Sequence, residues 1–184
     1  LTELLNPNLV NSPFQETIKT IKFKTFYHNQ TVTFDYDNLF YERRVVVFSL
    51  TQFRTICSGR YLQGYIDNYR CLLKKGIDDV YVVDSTDRLI GPYMDKKTNL
   101  IKSLPDSDML FVSALAKHYN YQKTATDLAR FWQYIVVVNN GEPEKLWHNP
   151  FKEGAKLAAL KNQEYRYRKL SADVVLNYLV DNQT

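Results

Sequence analysis

Hydrophobic and polar positions alternate with a period of two near the start of the chain. From Thr20 to Tyr27, Ile21 and Phe23 fall on one side and Lys22 and Lys24 on the other. From Thr31 to Tyr36, Val32, Phe34 and Tyr36 share a side. Two such runs around His28-Asn29-Gln30 predict a β-hairpin with His28 exposed at its tip. Asp37-Asn38-Leu39-Phe40 predicts a turn. Val45 to Phe48 is apolar at every position, the pattern of a central strand covered on both faces. The period then changes. Leu62, Tyr65, Ile66, Tyr69, Leu72 and Leu73 recur at helical spacing and predict one amphipathic helix from Cys57 to Gly76. Gly76 is its C-cap, with Lys74 and Lys75 in the last turn. Val80 to Val83 predicts a second buried strand, so the three elements form a right-handed βαβ unit.

Further on, Leu89 to Lys96 reads as a short helix and Leu100 to Leu104 as an edge strand. Asp108 is placed to cap a helix from Met109 to Lys117, with Leu110, Phe111, Ala114 and Leu115 on its apolar face. Ala125 to Phe131 reads as a helical turn. Trp132 to Asn139 is β-branched and predicts a strand, Asn140-Gly141 a hairpin, and Glu144 to His148 the returning strand. Phe151 to Tyr167 and Ser171 to Asp181 read as helices, the second capped by Ser171. Asn6-Pro7 and Ser12-Pro13 mark residues 1–19 as an arm or a short helix lying on the domain or on a neighbour. The expected organisation is an N-terminal arm over 1–19, a domain over 20–149, and a helical region over 150–184 that completes or extends it.

Composition narrows the class. The chain has 184 residues, 45% of them hydrophobic, enough for one domain with a full core. Its net charge of +4 is too small to imply nucleic acid. Tyr165-Arg166-Tyr167-Arg168 interleaves aromatics with arginines, as single-strand binders do, but charge runs of this kind are common on solvated helix faces. No apolar run approaches the ~20 residues of a membrane span. Two cysteines make no disulfide framework, so a cytoplasmic, reducing compartment is expected. His28, His118 and His148 have no ligand spacing with the cysteines, and no glycine-rich phosphate loop occurs, so no metal or cofactor is expected.

The chemistry that stands out is Cys57, in a loop between a buried strand and a helix. The first N–H groups of a helix lack intrahelical partners and the dipole is positive there, which favours the thiolate, the nucleophilic form. Asp84 to Asp87, at the end of the next strand, lies beside this loop, and a carboxylate there raises the thiol pKa. Arg54 and Arg60, three residues either side of Cys57, are candidate thiolate stabilisers. Cys71 lies fourteen positions on, roughly 20 Å along a continuous helix. A disulfide needs Cα atoms within ~7 Å, so Cys71 reads as a packing residue.

Phe53, Cys57-Ser58, Tyr61-Leu62-Gln63-Gly64-Tyr65 and Leu73-Lys74-Lys75-Gly76 resemble the active-site loop and first helix of peroxiredoxins, above all the type-five or plant type II class. The resemblance continues in Val82 to Asp87, Leu104-Pro105-Asp106, Phe111 to Ala116 and Tyr134 to Gly141, and Ser171 to Leu176 is similar to the family's last helix. It implies a thioredoxin-like α/β fold: a central mixed sheet flanked by helices, with an N-terminal β-hairpin and a helical C-terminal extension. It also implies that Cys57 is the peroxide-attacking residue. The family has a proline seven positions before this cysteine, a threonine three before it, and an arginine ahead of the strand matching Tyr134 to Asn139. Here those positions hold Leu50, Arg54 and Gln133.

Two functions therefore stay open. One is a one-cysteine, thiol-dependent peroxidase of low activity, with an external thiol reductant. The other is a catalytically inactive peroxiredoxin fold serving as a structural or binding module. A homodimer or larger protein assembly is expected in either case, with neither membrane nor nucleic acid as partner.

Overall fold

A computed structural model describes residues 12–27, 30–49, 56–84, 101–106, 108–120, 133–149 and 171–181. Five strands form the main sheet: β3 (Arg44–Ser49), β4 (Asp79–Asp84), β5 (Lys102–Pro105), β6 (Gln133–Asn139) and β7 (Glu142–Asn149). They lie in the order β5-β4-β3-β6-β7. β3, β4 and β5 run parallel, while β6 and β7 run antiparallel to their neighbours. The all-apolar run of the sequence is thus the middle strand, and Val45 to Phe48 are all fully buried. β1 (Phe23–Tyr27) and β2 (Gln30–Phe34) make the expected hairpin as a separate two-stranded sheet. The tip at His28 lies outside the described residues.

Successive strand residues face opposite sides of a sheet, and here both sides are apolar. Val45, Val47, Tyr81, Val83, Leu104, Val136 and Val138 face one cluster. α1 (Pro13–Ile18), the hairpin, α2 (Tyr36–Leu39) and α5 (Leu110–His118) cover it. Val46, Phe48, Val80, Val82, Ile135 and Val137 face the other, covered by α3 (Ile56–Asp67), α4 (Tyr69–Lys74) and α6 (Ala172–Asp181). Both terminal helices are built into these cores. Phe14 and Ile18 of α1 are buried, and the Phe14 ring meets Phe111 edge-on at 5.9 Å. The Ser12 hydroxyl caps α1 by accepting the Gln15 N–H at 3.1 Å. Ala172, Val175 and Leu179 of α6 are buried on the opposite face. A polar tie holds α6 as well. Glu144 of β7 accepts Arg44 Nε at 3.0 Å, Asn139 Nδ2 at 3.1 Å and the Tyr178 hydroxyl at 2.6 Å.

Several local expectations are corrected. The helix expected from Cys57 to Gly76 is two helices, broken at Asn68. There φ is −102° and ψ 6°. The Asn68 side-chain amide donates to the Gly64 carbonyl at 2.7 Å, offering the backbone an alternative to the helical ladder. Gly76 does stop the second piece, with φ +97°. Tyr36 begins a short helix rather than ending β2. Asp35 and Asn38 form a reciprocal cap around it, which turns the expected turn into α2. Asp106, not Asp108, caps α5: its carboxylate accepts the Phe111 N–H at 3.1 Å and the Val112 N–H at 3.2 Å. Met109 stands between them at φ +57° and shifts the helix phase, so Leu110 is exposed and Val112 is buried instead. Cys71 is exposed rather than packed. Its neighbour Leu72, on the apolar face, takes the buried position. The expected elements at 89–96, 125–131 and 151–167 lie outside the described residues.

Candidate active site

β3, β4 and β5 all end on one edge of the sheet, at Ser49, Asp84 and Pro105. In α/β sheets ligands bind outside such carboxyl edges. α3 starts here. Cys57 is its second residue and Arg60 its fifth, so both lie in the first turns of a twelve-residue helix. Cys57 thus lies where a helix has its unpaired N–H groups and the positive end of its dipole. Leu50 and Arg54 lie outside the described residues. Gln133, at the position of the family's arginine, begins β6. Phe48 pairs with Ile135 across the ladder, so Gln133 lies beyond the end of β3, on this same edge. The structure therefore brings the backbone of Cys57, Arg60, Asp84 and Gln133 to one edge.

What sets α3 on the sheet is Tyr65. Its ring is fully buried and stacks on Phe48 at 3.8 Å with 7° between the planes. Leu62, one turn earlier, is buried beside it. These two contacts fix the helix about 8 and 12 Å along its axis from Cys57. The period-3.6 pattern of the sequence pointed to both residues.

Three buried polar groups near this edge were not assigned a role by the sequence reading. Ser49 ends the apolar run of β3 and is 6% exposed. Its hydroxyl accepts the Tyr134 N–H at 2.9 Å and donates to the Tyr134 carbonyl at 3.5 Å. This closes the β3–β6 ladder with a side chain. Burial, reinforced by the Asp106 charge, holds the Tyr134 phenol well above its usual range. Burial also pushes Asp106 up from 3.8 to about 6, against the backbone N–H groups of Phe111, Val112 and Leu110 that favour its ionised form. The sequence signal for Ser49 was a hydroxyl residue closing an otherwise apolar strand. For Asp106 it was a carboxylate four residues ahead of a helix.

Among the described residues, no group of three or more His, Cys, Asp or Glu side chains gathers as a metal site would require. No helix among them is long and apolar enough to cross a membrane.

No family model matches the chain. It is 26% identical over 165 residues to a hybrid peroxiredoxin, hyPrx5, of Haemophilus influenzae, covering 88% of this chain and 64% of that protein. It is 32% identical over 111 residues to a peroxiredoxin of Rhizobium etli, covering 59% of this chain and 62% of that one. The chain thus spans less than two thirds of the length of these curated relatives. The fold is also that of reduced Prx3 from Vibrio vulnificus, solved in complex with hydrogen peroxide. The TM-score is 0.62 and the identity 21%, over 88% of this chain and 95% of that one. With a cysteine in the first turn of the helix after the central strand, the chain resembles peroxiredoxins in sequence and shares their thioredoxin-like fold.

Proposed function

We propose that this chain is a thiol-dependent peroxidase of the one-cysteine type, slow for its family, with Cys57 as the nucleophile. The observation that carries the reading is the place of Cys57: second residue of α3, at the carboxyl edge of the central strand. The Cys57 thiolate attacks one peroxide oxygen. The S–O bond forms as the O–O bond breaks, and the leaving hydroxide takes a proton to become water. Cys57 is thereby oxidised to a sulfenic acid and the peroxide is reduced. An external thiol then displaces the sulfenic oxygen as water, giving a mixed disulfide. A second thiol releases Cys57 and leaves as the disulfide. Cys71, exposed on α4 beyond the Asn68 break, takes no part in this cycle.

Low rate follows from three replacements: Leu50, Arg54 and Gln133 stand where the family has proline, threonine and arginine. Arg54 and Arg60 are the cations that take over thiolate stabilisation in this reading. A reducing intracellular compartment supplies the thiol. Residues 20–149 form the redox domain, residues 1–19 an N-terminal arm, and 150–184 the helical region that completes it; the chain works as a homodimer or within a larger assembly. The same three replacements favour a second reading, a fold retained without catalysis as a structural or binding module whose terminal segments meet the partner.

The second-order rate of Cys57 with hydrogen peroxide separates the two, with Cys57→Ser as control. A rate well above that of a free thiol, absent from the variant, is expected. A rate equal to a free thiol removes the peroxidase reading. Arg54→Leu is expected to raise the Cys57 pKa and slow the reaction; an unchanged thiol titration removes Arg54 from the site.

A further inference from the structure

At the end of the sheet opposite the Cys57 edge, α1, α2 and the β6–β7 turn enclose an open cleft of about 620 Å³. That volume falls in the range of small-molecule sites. Its floor is Tyr36, which is 6% exposed. The Tyr36 hydroxyl accepts Gln15 Nε2 at 2.8 Å, its one side-chain hydrogen bond among the described residues. Its own proton is therefore available to water or to a ligand in the cleft. Tyr36 is also fixed in place. Gly141, at φ +81°, passes so close that a Cβ there would lie 2.9 Å from the ring carbon Cε2.

Charges of both signs line the walls. Lys19 holds its ammonium over the Tyr36 ring, 5.6 Å from the centroid, and Lys22 lines the cleft with it. Asp35, Asp37 and Glu42 line the same cleft; Asp35 is engaged as the cap of α2, which leaves Asp37 and Glu42 as the cleft's two uncommitted carboxylates. Among the described residues, none of these lysines and carboxylates makes an ion pair with another. Opposite charges sharing a cleft without touching leave room for a molecule that bridges them.

We infer that this cleft binds a small zwitterion of the α-amino-acid type, its carboxylate accepting the Tyr36 O–H beside Lys19 and Lys22, its ammonium facing Asp37 and Glu42. A simple anion would leave the two carboxylates unmatched, and a simple cation would leave the phenol and both lysines unmatched.

The test is titration of the full chain with glycine and with L-leucine. It is read as amide shifts of Lys19, Asn140 and Gly141 by NMR, with acetate and methylammonium as half-ligands. The expected result is saturable binding by an amino acid, at least about tenfold tighter than by either half-ligand, since one charge-assisted contact is worth about that much. Lys19→Gln and Asp37→Asn should each weaken it by about the same factor while leaving the thermal midpoint unchanged. Three results overturn the inference: no saturable shift with either amino acid, acetate binding as tightly as glycine, or affinity unmoved by both substitutions. Peroxide reactivity of Cys57 is measured separately and does not bear on it.

Discussion

Replacing Asp106 with asparagine isolates one buried ionisation and gives a stability difference that changes sign with pH. Asp106 is 6% exposed. Its two oxygens accept the Phe111 and Val112 N–H groups at the start of α5. Burial raises its pKa from 3.8 to about 6 even so. The folded value lies above the unfolded one, so the folded chain holds its proton while the unfolded chain has released it. The associated stability is fully present below pH 3.8 and is lost as pH rises through about 6. At 1.36 kcal/mol per pH unit, the gap amounts to about 3 kcal/mol at most by neutral pH. Asparagine has the same shape, does not titrate, and keeps one carbonyl oxygen for the cap. Losing the second acceptor costs about 1 kcal/mol at any pH. Asp106→Asn should therefore be less stable than the parent by about 0.5 kcal/mol near pH 4 and more stable by about 1–2 kcal/mol near pH 7. Urea unfolding of both proteins across that range measures the difference directly, and other titrating groups cancel in it. A difference constant with pH to within about 0.5 kcal/mol would refute the buried-carboxylate argument.

Glycine 141 should tolerate alanine worse than Gly76 does. Both have positive φ, +81° and +97°, but only at Gly141 would the new Cβ meet the Tyr36 ring, whereas Gly76 faces open space. Gly76→Ala should cost about 1 kcal/mol and Gly141→Ala at least about 1 kcal/mol more; equal urea midpoints would contradict the packing. Glu144→Gln should loosen α6. Burial opposes ionisation of this carboxyl, but its bonds to Arg44, Tyr178 and Asn139 together hold its pKa below 4.5. That stabilisation is present above pH 4.5 and is lost as pH falls through the lower folded value. The variant should lose about 2 kcal/mol at neutral pH, and amides of 172–181 should exchange faster while those of β3 do not. Uniform exchange across both would place the tie elsewhere.

The hydrophobic pattern alone determined most of the frame. A mostly β-branched run with no polar position from Val45 to Phe48 fits a strand covered on both faces, and it is the middle strand. Asn140-Gly141 fixed a hairpin because both residues must take positive φ, and they do, at +50° and +81°. Cys57 at a strand-to-helix junction was legible because a continuous apolar run gives way to a period of 3.6 across it. What the sequence could not decide were choices between local competitors. Two aspartates, Asp106 and Asp108, stand before α5, and either side chain can cap a helix. Met109 at φ +57° settled the matter by turning the chain so that Asp106 reaches the free N–H groups. Asn68 fits an exposed helix position as well as a break, and its bond to Gly64 made it the break. Cys71 is exposed, off the apolar face that Leu62, Tyr65 and Leu72 define. The cleft over Tyr36 was beyond reach altogether, because its walls come from residues more than a hundred positions apart, from Gln15 to Asn140. Local periodicity reports which side of an element faces the core. Only the packed chain decides which of several equally polar groups meet, because that depends on long-range register and on burial, which one-dimensional spacing does not carry.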